Sequence, residues 1–252
     1  MTGYLIHIDG ALTKEYDAVD PSVDKKLLTR FESVRYDGGK IALITGRTEK
    51  WLDQHLFPLI DDDADFLILG EYGDFRMWHK QRYWDDRAQE FERRYRELLK
   101  ERIAAIAKAH GIRVKKDDRD YEPKSGELWF APGAGVLSVR TNPHGYRFGI
   151  KIDSDLVYKI TEQAIRESGV PEDEFDIKKT PVSTVISRKS VNLEHAARIA
   201  VTTLDPDNDL EKWYAFGRSM DESMAYDPKI QFVCVDPKAS KGTWDFLTKL
   251  KQ

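Results

Sequence analysis

A chain of 252 residues that is 40% hydrophobic, 33% charged and 11% aromatic can bury a full core, in one large domain or two smaller ones. Its net charge of −4 and pI near 5.9 exclude a global basic field for recruiting nucleic acid, and no apolar run approaches a membrane span. The N-terminus lacks a signal-peptide pattern, and the single cysteine, Cys234 in "QFVCV", excludes an internal disulfide and a multi-cysteine zinc site; the expectation is a cytoplasmic protein with a buried, inert thiol.

In chain order, short apolar runs alternate with helical patterns. "YLIHID" reads as a strand, 22–35 as a helix, "KIALIT" as a strand, 48–57 as a helix and "DFLILG" as a strand. That rhythm predicts a parallel sheet with helices on both faces. It changes after Gly73: "DFRMWHKQRYW" reads as a hairpin and 86–110 as one long amphipathic helix. The bases of "ERRYRELLKER" alternate with glutamates at helical spacing, which predicts a solvated face. "IRVKK", "GELWFA", "GVLSVRT" and "RFGIKI" read as antiparallel strands and 154–169 as a second helix. The α/β rhythm returns with the helix "VNLEHAARIAVTTL", the strands "KWYAFG" and "IQFVCV", and a helix from about 240. The expected fold class is α/β: a Rossmann-like core of 1–73 and 187–252 with a parallel sheet, and an inserted α+β cap of 74–186.

Ligands of parallel α/β sheets bind at the carboxyl ends of the strands. Four such ends carry polar residues: His7 with Asp9, Thr45-Gly46-Arg47, the segment from Lys189 to Glu194, and Gly217-Arg218-Ser219. Each has a plain structural reading. Asp9-Gly10 and Thr45-Gly46 suit turns and helix caps, His7 suits a hydrogen-bonded core position, and Arg218 suits an ordinary ion pair. The order of the four along one α/β chain is what points to a shared site.

Those segments resemble the motifs of the haloacid dehalogenase superfamily of phosphatases, and within it the capped sugar-phosphate phosphatases of the trehalose-phosphate phosphatase pattern. "HIDGAL" is similar to Asp-x-Asp-Gly-Thr-Leu at Asp9, Gly10 and Leu12, and "ITGR" to the Ser/Thr-Gly-Arg motif with Thr45. "GEYGDFR" resembles the Gly-x-x-Gly stretch that enters the cap. "VNLEHAARIA" resembles Val-Asn-Lys-Gly-x-Ala, and "GRSMDESM" resembles Gly-Asp-Asp-x-Thr-Asp-Glu-x-Met with one residue deleted. The resemblance covers the core at both ends of the chain and rests on order and spacing.

The departures fall on the residues that the resemblance makes catalytic. His7 stands where the family places its aspartyl nucleophile, Leu193 at the motif lysine, Arg218 at the first magnesium-binding Asp, and Ala11 at the motif threonine. Asp9, the family's general acid/base, and the phosphate-binding Thr45 remain, and Asp221 and Glu222 match the distal acidic pair. Magnesium needs several hard oxygen ligands, so only Asp9, Asp221 and Glu222 are candidate ligands and no cofactor is expected. An arginine at the metal position opposes a cation and offers a fork to phosphate or carboxylate.

The leading expectation is a phosphatase-like protein that binds a phosphorylated or anionic small molecule without ordinary magnesium-dependent hydrolysis. Thr45, Arg47, Lys189, Arg218 and Ser219 would bind it, above His7 and Asp9. Nucleic acid and membrane are not expected partners. A competing expectation is a rebuilt enzyme in which His7, oriented by Asp9, is nucleophile or base and Arg218 replaces the metal charge. A second register over "DGALT" would instead make Asp9 the nucleophile with Thr13 following, and Lys189 would substitute for the missing lysine. A protein-interaction scaffold is a third class.

Overall fold

Strict alternation along the first strands assigns each side chain to one of two cores. A computed structural model describes residues 1–14, 22–60, 64–115, 126–131, 133, 135–141, 152–179, 183–236 and 238–249. In β1 (Thr2–His7) Leu5 joins one apolar cluster and Ile6 the other; in β2 (Lys40–Ile44) Ala42 and Ile44 face one way, Ile41 and Leu43 the other. Both faces of the sheet are therefore buried, as a parallel sheet requires.

One face is covered by α1 (Lys25–Tyr36), α2 (Glu49–His55) and α7 (Ser240–Lys249), which contribute Leu27, Leu28, Phe31, Leu52 and Leu247. The other is covered by α6 (Leu193–Leu204), whose Ala196, Ala197 and Ala200 let its backbone approach the strands closely. The helix starts are set by side-chain caps. Asp24 accepts from the N–H groups of Lys26 and Leu27, Thr48 from Trp51, and Asn192 from His195.

β3 (Leu67–Gly70), β11 (Lys212–Gly217) and β12 (Ile230–Cys234) complete the parallel part, in the order β12-β11-β1-β2-β3. The chain leaves β1 towards β2 on one side and returns as β11 on the other. The carboxyl end of β1 is thus the topological switch point of the sheet.

The chain divides into two units, Met1–Trp84 with Val191–Gln252, and Asp85–Ser190. The junctions lie later than the expected 73/74 and 186/187. The hairpin β4 (Phe75–Trp78) and β5 (Gln81–Trp84) continues the core sheet, pairing Ile68 with Met77 and Gly70 with Phe75, and Phe75 is fully buried in the first core.

In the second unit, α3 (Asp86–Phe91) runs through a wide turn at Glu92–Arg96 into α4 (Glu97–Ala109). The solvated face expected there holds for Arg93 and Arg94 but not for Arg96, which is buried and donates to the carbonyls of Val136 at 2.7 Å and Ala131 at 2.8 Å. With α5 (Ser154–Ser168), this helix packs on a sheet of β6 (Arg113–Val114), β7 (Glu127–Ala131), β8 (Val136–Arg140), β9 (Phe175–Lys179) and β10 (Ser183–Arg188). Its order is β6-β7-β8-β10-β9. The β6–β7 pair is parallel, against the antiparallel expectation, while the other pairs are antiparallel. β9 and β10 are additions to the sequence reading, because their apolar alternation is broken by charged and hydroxyl residues. The expected strand over "RFGIKI" lies, except for Ile152, outside the described residues.

Cys234 is exposed rather than buried, because it ends the edge strand β12. Among the described residues, no helix is long and apolar enough to cross a membrane.

Candidate functional site

Three parallel strands end side by side and deliver the polar residues to one edge. His7 closes β1 opposite Ile44 of β2, Thr45 follows β2, and Arg218 follows β11. The chain turns sharply after β1, with Gly10 at φ 96, in the left-handed region. The same glycine admits Arg218 across its face, since a Cβ there would stand 2.9 Å from the Arg218 Cγ.

Two carboxylates organise the edge. Asp9 accepts from Thr45 Oγ1 at 2.8 Å and from Arg47 Nε at 2.8 Å, and a terminal nitrogen of Arg47 lies 2.7 Å from the same Oδ1. Thr45 Oγ1 also accepts the Arg47 N–H at 3.0 Å, and the Arg47 guanidinium lies over the Trp51 ring at 5.0 Å. Asp221, in the turn after β11, accepts from His7 Nδ1 at 2.7 Å and from the Arg218 N–H at 2.8 Å, with Arg218 Nε at 3.4 Å. The rebuilt-enzyme expectation is corrected in one respect: Asp221, not Asp9, orients His7. A carboxylate can only accept, so the His7 Nδ1 donates to Asp221. His7 and Asp221 are both buried, whereas the Arg47 and Arg218 side chains are each 21% exposed.

Burial alone would push both carboxyls up. For Asp9, Arg47 and His7, with the hydrogen bonds from Arg47 and Thr45, reverse that and hold it below its ordinary 3.8. For Asp221, the His7 hydrogen bond and charge and the Arg218 contacts do the same. A carboxyl depressed in the folded state contributes stability that is complete above its unfolded value and is lost as pH falls through the folded one. Urea midpoints are therefore expected to be flat on the acid side down to about pH 4 and to drop below it. Asp9→Asn with Asp221→Asn should flatten that drop; an unchanged profile in the double variant would assign acid sensitivity elsewhere.

Tyr72 is a site residue the motif reading missed, although "GEYG" was the signal. It follows β3 with φ 57, and its ring covers Gly46, where a Cβ would stand 2.6 Å from the ring Cζ. Burial and then the charges of Asp9 and Asp221 push its hydroxyl up to about 12, against the opposing pull of Arg218 and Arg47. Tyr72 is thus a neutral donor in the same electrostatic cluster. Asp236 is a second addition; its Oδ2 accepts the Ser219 N–H at 2.8 Å.

The remaining expected residues are not among the groups that Asp9 and Asp221 hold. The side chains of Ser219 and Glu222 are exposed, and Thr13 is a structural partner whose Oγ1 accepts the Gly10 N–H at 2.9 Å. Lys189 belongs to the second unit, where its N–H donates to the Glu174 carbonyl at 2.8 Å. Magnesium does not fit the donor set. The two carboxylates that would face it each hold a guanidinium, and among the described residues no three His, Cys, Asp or Glu side chains group as a metal site.

No family model matches the sequence, and no curated protein matches it. Solved structures do match. A trehalose-6-phosphate phosphatase related protein superposes with a TM-score of 0.64 at 11% identity, over 100% of this chain and 97% of that one. Trehalose-6-phosphate phosphatase from Aspergillus fumigatus gives 0.56 at 14% identity, over 95% and 86%. Sucrose-phosphatase from a Synechocystis species, in complex with sucrose and phosphate, gives 0.54 at 13% identity, over 100% and 87%. The chain has the haloacid dehalogenase fold. Within that fold the Asp9 and Asp221 clusters sit at the carboxyl edge of the core sheet, and the unit Asp85–Ser190 is the insertion.

Proposed function

We propose that this haloacid dehalogenase-fold protein binds a phosphorylated or otherwise anionic small molecule at the β1 edge and does not hydrolyse it by the magnesium-dependent route. The observation that carries the reading is the pairing of each site carboxylate with a guanidinium, Asp9 with Arg47 and Asp221 with Arg218. Phosphoryl transfer through a carboxylate needs that carboxylate aimed at phosphorus and a cation on the phosphoryl oxygens. Here Asp9 is directed to Arg47 and Thr45, and the cationic charge is built from two permanent guanidiniums at the partly exposed rim. Thr45 and the neutral Tyr72 supply hydroxyls beside them.

The solved structures of similar fold include phosphatases named for trehalose 6-phosphate and sucrose phosphate, which supports phosphorylated sugars as the first probes. The test is a thermal-shift and mass-spectrometric screen of phosphorylated sugars and nucleotides, with and without magnesium, coupled to a phosphate-release assay. A probe at a hundredfold its Kd should stabilise the fold by about 2.7 kcal/mol. Release of phosphate that requires magnesium would overturn the reading.

Magnesium alone, at millimolar concentration, is expected to give no binding heat and no rise in melting temperature. A clear rise would mean that Asp9, Asp221 or Glu222 rebuilds a metal site and would return the protein to the hydrolases.

A further inference from the structure

We propose that the second unit carries a binding site of its own, for a planar ring bearing a phosphate, the chemistry of a nucleoside monophosphate. A cavity of about 520 Å³ lies between α3, the wide turn that follows it and the ends of β9 and β10, all within Asp85–Ser190. That volume is in the range of small-molecule sites. Strand residues two apart share a face, so Arg188 lies on the side of β10 that carries Ile186, the side packed under α4 and α5. Arg188 is registered opposite Phe175 of β9, and the two meet in the cavity wall.

The floor is aromatic. Phe91 and Phe175 are buried with their rings 5.4 Å apart, and the half-buried Tyr95 meets Phe175 edge-on at 5.7 Å. Among the described residues the Tyr95 hydroxyl has no partner. The rim is basic: Arg87, Arg94, Arg188 and Lys189 face only Glu90 and Glu174. Glu90 is taken by Arg94 at 2.5 Å, and Asp85 holds the Arg188 guanidinium at 3.0 Å, which fixes it in place. Arg87 and Lys189 are exposed and have no acid partner among the described residues, so their charges remain for a ligand. Glu174 likewise pairs with no cation among them and offers an acceptor to a ribose hydroxyl. An aromatic floor alone would take any flat apolar molecule, and a basic rim alone any anion. One cavity with both selects a ligand that is both, its ring on Tyr95 and its phosphate on the rim.

The experiment titrates the full chain calorimetrically at low salt with AMP and with its two halves, adenosine and ribose 5-phosphate. It is run in Arg218→Ala as well as in the unmodified protein, so that the sheet-edge site does not contribute. The Arg218→Ala chain is expected to bind one AMP, at least about tenfold more tightly than either half. In that background Arg87→Ala and Lys189→Ala, both at exposed positions, should each weaken AMP by about tenfold, the scale of one charge-assisted contact. Tyr95→Leu should weaken AMP by a similar factor and leave ribose 5-phosphate unchanged. An Arg218→Ala chain that binds no AMP, or an AMP affinity that neither Arg87→Ala nor Lys189→Ala lowers, overturns the proposal. Equal affinity for AMP and ribose 5-phosphate overturns it too, because the ring would then contribute nothing. Binding of glucose 6-phosphate that is lost in Arg218→Ala reports on the sheet edge alone, so the two sites fail separately.

Discussion

Arg218→Ala is expected to weaken binding of a phosphorylated sugar by roughly 30- to 1000-fold, corresponding to about 2–4 kcal/mol. The side chain lies across Gly10 at the rim of the site, 21% exposed, so its guanidinium is partly desolvated yet within reach of a ligand. Charge-assisted contacts in such places exceed neutral ones about twofold. Arg218→Lys should restore only part of the loss, because an ammonium cannot offer the planar fork. His7→Ala should cost less affinity than Arg218→Ala: Nδ1 is already committed to Asp221, so only Nε2 remains for a ligand. Calorimetric titration of the three variants tests this order. Equal affinity in Arg218→Ala and the unmodified protein would remove Arg218 from the site.

Asp221→Ala is expected to lower the unfolding free energy by about 3 kcal/mol, the scale for breaking one side of a buried ionic or hydrogen-bonded pair. The carboxylate is the acceptor for the buried His7 Nδ1 and for the Arg218 N–H, and it joins β1 to the turn after β11. Removing it strands two donors, each at a cost of about 1–3 kcal/mol. Asp221→Asn keeps an oxygen acceptor and should cost about 1 kcal/mol or less. Urea unfolding at neutral pH measures both. A loss below 1 kcal/mol in Asp221→Ala would mean that water or a shifted side chain replaces the acceptor.

Much of this protein was legible in the sequence. The alternation in "YLIHID" and "KIALIT" and the apolar face of "VNLEHAARIAVTTL" act over a few residues, so the period identified those elements. The order of His7, Asp9, Thr45 and Arg218 along an α/β chain likewise pointed to one sheet edge, because parallel strands end on the same side.

Tertiary structure decided the rest. The hairpin Phe75–Trp84 belongs to the core because its first strand pairs with β3, which no local signal announces. Cys234 is exposed because β12 is the edge strand, and strand order is a property of the assembled sheet. The site's partnerships are of the same kind. His7 and Asp221 are 214 residues apart, and Asp9 turns to Arg47 rather than to its neighbour His7. Carboxylates and imidazoles find partners by proximity in three dimensions, and hydrogen bonds of 2.7–2.8 Å form only after packing has fixed both ends.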